Sequence, residues 1–111
     1  MLFIQTLSQN GISQNTYLKI ARKYCKNHGY NPEMLYYSND NKHKLRYNHN
    51  DTNILFGSAN NLDFIIVSLI DKDLANKKRN AYLKRSAAIK GDWKDNKFSK
   101  NNLARRILWN E

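Results

Sequence analysis

Apolar residues recur at helical spacing in several stretches of this chain and at strand-like spacing in one. After Ser13, a good N-cap, Tyr17, Leu18, Ile20, Ala21, Tyr24 and Cys25 fall on one side of a helical projection. Lys19, Arg22, Lys23 and Lys26 fall on the other, so the pattern predicts an amphipathic helix over roughly 14–27, stopped by Gly29. Residues 1–12 carry no clear period and are expected to be irregular, ending at Gly11. Asn31-Pro32-Glu33 has the order of N-cap, first helical position and first-turn acid, which predicts a short second helix reaching Tyr37. Two helices joined by a glycine turn make either a helix-turn-helix reader or a plain helical hairpin. Pro32 to Tyr37 offers no Arg, Lys, Gln or Asn for base edges, which favours the plain hairpin.

Further along, Leu45-Arg46-Tyr47 and Ile54-Leu55-Phe56 flank the polar segment Asn48 to Asn53 and predict a short β-hairpin ended by Gly57. A lone hairpin is marginal in water, so this one must pack on the helices. The run Leu62 to Ile70 fits two states. Its β-branched residues suit a buried strand, whereas Leu62, Ile65, Ile66, Leu69 and Ile70 match the helical period, with Asn60 or Asn61 as cap; helix is favoured, and either way the run is core. Asp71 or Asp73 can cap the next helix, about 73–90, which Gly91 ends. Leu74, Lys78, Tyr82, Arg85 and Ile89 form one stripe of it, an apolar seam interrupted by two cations. Ser99 caps a last helix with Leu103, Ala104, Ile107 and Leu108 on its apolar side and Arg105 and Arg106 on its basic side. The expectation is an α+β fold: one small, mostly helical domain over 1–111 with one short β-hairpin.

Composition narrows the class. At 111 residues and 41% hydrophobic, the chain can build one modest core and is no disordered tail. The 17 asparagines, with abundant Lys and Ile, fit an AT-rich coding sequence better than an Asn ladder. One cysteine, Cys25, excludes an internal disulfide and suits a reducing compartment. The opening apolar patch is too short for a signal segment, and Leu62 to Ile70, with Asp63 inside it, is too short for a membrane span. A protein of the cell interior or of a particle, not secreted and not membrane-bound, is expected.

Charge changes the picture most. From Lys72 to Trp109 there are twelve Lys and Arg against three Asp, whereas the remainder of the chain carries seven Lys and Arg against six acids. Nearly all of the formal net charge of +10 therefore lies in the last third, interleaved with Tyr82, Trp93, Phe98 and Trp109. Such a field suits a polyanion, of which nucleic acid is the commonest. The contact candidates are Lys77, Lys78, Arg79, Lys84, Arg85, Lys90, Lys94, Arg105 and Arg106, joined by Arg22, Lys23 and Lys26 from the first long helix.

The spaced positions Phe56-Gly57, Asp63-Phe64, Lys78-Arg79-x-x-Tyr82-x-x-Arg85, Gly91-x-Trp93, Asn102-Leu103-Ala104 and Ile107-Leu108-Trp109 form a recognisable set. With the Lys-rich helix and Asn27-His28-Gly29-Tyr30-Asn31-Pro32 ahead of them, they resemble a family of short basic proteins of large DNA viruses of protists and their virophage and mobile-element relatives. The resemblance spans about 16–109. It implies a viral setting, in the virion and the host cytoplasm or nucleus, and no mechanism.

Other chemistries find little support. Cys25 and His28 lack a second ligand pair for a zinc site, and no metal or other cofactor is expected. The acids sit where caps and turns belong rather than in motif pairs, so no catalytic residues are assigned. Asp63 and Arg85 interrupt neighbouring apolar stretches and are expected to pair. Trp93 and Trp109 are expected in the core. The functional expectation is a non-enzymatic, sequence-independent nucleic-acid-binding protein, for DNA rather than RNA, with no small-molecule substrate and compatible with a homodimer. The alternative is a virion structural or host-protein interaction module that oligomerises through its aromatics.

Overall fold

The computed structural model describes residues 3–111. Five helices, α1 (Phe3–Gln9), α2 (Gln14–Asn27), α3 (Phe64–Ser68), α4 (Lys72–Ala87) and α5 (Lys100–Leu103), surround a sheet of β1 (Leu35–Tyr37), β2 (His43–His49) and β3 (Thr52–Ser58). The sheet is an antiparallel meander in the order β1-β2-β3, so the α+β class holds.

Helix α2 forms where its period places it. Ser13 Oγ accepts from Thr16 N, and Tyr17, Ala21 and Cys25 are buried at steps of four. At its end Gly29, at φ +84°, donates to Lys26 O while Tyr30 N reaches Cys25 O, the paired bonds of a Schellman turn. The segment expected to be irregular contains α1, whose Phe3, Thr6 and Leu7 form one buried face; Met1 and Leu2 lie outside the described residues. Seven residues do not hold a helix in water by themselves. Packing does it, including the edge-on contact of Phe3 with Tyr17 at 4.9 Å between centroids.

The second helix expected at 32–37 is replaced by a single 3₁₀ turn, Pro32–Met34, followed at once by β1. Asn31 does cap, accepting from Glu33 N. Leu35, Tyr36 and Tyr37 then pair with Tyr47, Arg46 and Leu45, a burial alternation that suits a strand. Neither the helical hairpin nor the helix-turn-helix is present, because a six-residue helix loses to a strand that satisfies its backbone on β2.

The β2–β3 hairpin is longer and tighter than the pattern suggested. Asn48 and Asn53 pair across it, and only Asn50 (φ 52°) and Asp51 (φ 63°) form the turn. Two positive φ values define the type I′ geometry, which asparagine and aspartate tolerate. Beyond it the 62–70 run resolves as helix α3, capped by Asp63 rather than Asn60 or Asn61. Asp71 caps α4 by accepting from Asp73 N and Leu74 N.

Helix α4 ends at Ala87, short of Gly91, and the Trp93 indole N–H takes the carbonyl of Ile89 at 2.7 Å. Its buried side consists of Ala75 and Ser86 with Arg79, Tyr82 and Leu83 half-buried, whereas Leu74 and Ile89 are exposed. The expected apolar seam is thus not the packed face. Arg79 and Ser86 can occupy that face because each bonds to neighbouring groups, Arg79 Nη2 to Asn110 O and Ser86 Oγ from Arg105 Nη1. Asn102 latches the loop before α5 by donating to the carbonyls of Trp93 and Asn96. After Leu103 the helix widens into a π-turn, Ala104–Leu108, with Trp109 N reaching Ala104 O.

The core runs from Leu7, Tyr17 and Cys25 through Leu35, Leu45 and Phe56 to Ile65, Ile66, Leu103 and Ile107. Inside it, fully buried Asp63 accepts from Tyr17 Oη at 2.5 Å, Lys44 Nζ at 2.9 Å and Ile66 N at 2.9 Å. Its ion-pair partner is Lys44, not Arg85, which stands exposed on the outer flank of α4. The hairpin delivers Lys44 to the α3 N-terminus, a placement that a linear pattern does not encode.

Candidate nucleic-acid interface

An α-helix advances 100° per residue, so residues three, four and seven apart share a flank. On α4 this puts Lys77 and Lys84 along one exposed strip, and Lys78, Tyr82 and Arg85 along another. Lys77, Lys78, Lys84 and Arg85 are all exposed, and Lys90 and Lys94 continue the exposed charge into the following loop. The ion pairs among the described residues join His43 to Asp40, Lys44 to Asp63 and Arg105 to Glu111. None of these six cations therefore has a carboxylate partner.

Four other candidates, all arginines, are built into the fold. Arg105, buried, clamps Glu111 with Nε and Nη2 at 2.6 and 2.9 Å and turns Nη1 to Leu83 O and the Ser86 hydroxyl. Its bond holds the Glu111 carboxyl below the usual carboxylate range. Arg79 is half-buried, bonded to Asn110 O at 2.7 Å with its guanidinium over the Phe64 ring. Arg106 donates to Tyr30 Oη, and Arg22 caps the open carbonyl of Leu35 with two bonds. Arg22, Arg79, Arg105 and Arg106 are spent on structure, in keeping with the fork geometry of guanidinium, whereas Arg85 is left on the surface with the candidate lysines. Lys23 and Lys26 are exposed on α2, a separate element.

Beside α4 lies a cleft of about 620 Å³. Lys78, Ala81, Tyr82 and Arg85 line it from α4, and Ser58, Asn60, Asn61 and Leu62 line it from the end of β3 and the segment that follows. Tyr82 is stacked on Trp109, which also lines the cleft, with centroids 4.4 Å apart and planes 10° off parallel. Gly57, Ala104 and Leu108 also line it. Gly57 has φ +78°, and a Cβ there would stand 2.6 Å from Leu108 Cδ1, so only glycine lets β3 approach the π-turn this closely. Single π-turns are frequent at functional sites.

The cations are visible in the sequence, and the cleft is not, save for the Lys78, Tyr82 and Arg85 stripe. Asn60 and Asn61, read as caps, and Trp109, read as core, reach the cleft through the hairpin and the π-turn. Trp109 is indeed buried, at 7% exposure, whereas Trp93 is half-buried. Among the described residues no group of three or more His, Cys, Asp or Glu side chains comes together, and no helix is long and apolar enough to cross a membrane. Comparison with protein-family models, with curated proteins and with solved structures finds no match to this chain.

Proposed function

We propose that this protein binds nucleic acid without enzymatic turnover, largely independently of sequence, through phosphate contacts made by α4 and the loop after it. The observation that carries the reading is the set of six exposed cations, Lys77, Lys78, Lys84, Arg85, Lys90 and Lys94, none with a carboxylate partner. Unpaired like charges along one helix raise its energy, and a polyanion relieves that repulsion. DNA is the favoured partner. In the viral setting that the sequence resemblance implies, the protein would accompany or pack a genome, and it would then be found in purified particles.

The test is charge reversal at positions that support no packing. A Lys77→Glu, Lys84→Glu, Lys90→Glu triple variant keeps the melting temperature within a few degrees, since solvent-exposed substitutions change stability by about 0.5 kcal/mol or less each. Its affinity for random duplex, measured by anisotropy, falls at least tenfold, and its salt dependence flattens by about three phosphates. Unchanged affinity would defeat the proposal.

A further inference from the structure

The cleft beside α4 holds more than phosphate binding requires. Lys78 and Arg85 are cations without a carboxylate partner in its lining, and the side chains of Asn60 and Asn61, which also line it, are exposed and make no hydrogen bond within the described residues. The stacked Tyr82–Trp109 pair lines the same cleft, with the Arg85 guanidinium 6.0 Å from the Tyr82 ring centroid. A lone phosphate would use the cations and could take an amide N–H, but it would leave the aromatic pair idle. A base with its flanking phosphates uses all three.

We infer that the cleft receives an unpaired base of a single-stranded nucleic acid. Lys78 and Arg85 hold the phosphates on either side, Asn60 and Asn61 bond the base edge, and the Tyr82–Trp109 pair gives the apolar wall. The inference rests on the nucleic-acid reading above and adds strandedness to it. Duplex cannot supply this ligand, because its bases are stacked and paired inside the helix, while Trp109 is recessed at 7% exposure. An unstacked base can enter a concave site and meet aromatic side chains and amides there. At about 620 Å³ the cleft lies within the roughly 300–1,000 Å³ of pockets that enclose small ligands.

The experiment compares three labelled probes by fluorescence anisotropy at one salt concentration: a mixed-sequence DNA single strand, an abasic strand of the same length, and a duplex. Intact and abasic strands carry the same phosphates, so their ratio isolates the base. The intact strand should bind about tenfold more tightly, the gain expected from one base–aromatic contact. The Asn60→Ala, Asn61→Ala double variant should reduce that ratio towards one and leave duplex affinity unchanged. Ala81→Leu, which narrows the cleft with a helix-favouring residue, should do the same; both change exposed positions, and circular dichroism checks that each folds. A strand with 2-aminopurine replacing one adenine should lose fluorescence on binding as the base stacks. Equal affinity for intact and abasic strands overturns the inference while leaving phosphate binding standing. So does a ratio that survives both variants. If no probe binds, the nucleic-acid reading falls and this inference with it.

Discussion

Asp63 has no solvent exposure, and its two oxygens accept from Tyr17, Lys44 and Ile66, tying α2, β2 and α3 together. Asp63→Ala leaves the Lys44 ammonium buried without its counter-charge, and breaking a buried pair this way costs about 3–5 kcal/mol. Urea unfolding should show a loss of that size; a loss under about 1 kcal/mol would mean Lys44 swings out to solvent. The need for a partner was legible in the sequence, since an aspartate inside an apolar run must be satisfied. Which cation answers was not. The pattern pointed to Arg85, whereas the hairpin brings Lys44 to the carboxylate. Titration follows from the same burial. Burial pushes the Cys25 thiol up to about 12 and the Tyr37 phenol up to about 12, and raises Tyr17 beside Asp63. Groups raised in the fold favour it while protonated, and their contribution is lost as pH rises from about 8.5 for cysteine and about 10 for tyrosine. Glu111 is held low by Arg105, so its contribution is present above about 4.3 and lost as pH falls. The urea midpoint should therefore be flat near neutrality and decline on both sides, and Cys25 should resist thiol reagents at pH 8 until the chain is unfolded.

Helix starts were readable from their caps: Ser13 and Ser99 cap as their spacing predicts, and of the two aspartates offered for α4, Asp71 caps it. Asp71→Ala should cost about 1 kcal/mol, because two first-turn N–H groups of α4 lose their acceptor. A thermal melt unshifted by the change would show that packing alone fixes the start of α4. The elements that escaped were short. Helix α1 and strand β1 owe their form to partners distant in sequence, Tyr17 for one and β2 for the other. The hairpin was placed correctly but given too wide a turn, since Asn50-Asp51 competes with four other polar residues for the bend. The seam of α4 misled for a different reason. Leu74 and Ile89 mark an exposed flank, while arginine and serine fill the packed one.

Across the whole molecule the fold sorts a positive surplus into two uses. Arg22, Arg79, Arg105 and Arg106 cross-link elements, and their guanidinium groups are engaged by carbonyls, a hydroxyl, a phenol or Glu111. The candidates Lys77, Lys78, Lys84, Arg85, Lys90 and Lys94, and Lys72 with them, remain exposed and without a carboxylate partner on α4 and its loop. The concentration of charge was plain from the sequence; the division between structural and free cations needed the packing. Phosphate contacts release condensed counterions, so they leave a signature that apolar or protein-docking surfaces do not. The deciding measurement is the affinity for a random DNA duplex across a salt series. The account predicts that log affinity falls linearly with log salt at a slope of about −4 to −7, as for roughly four to eight phosphate contacts. No detectable binding at about 0.1 M salt, or a slope near zero, would contradict it.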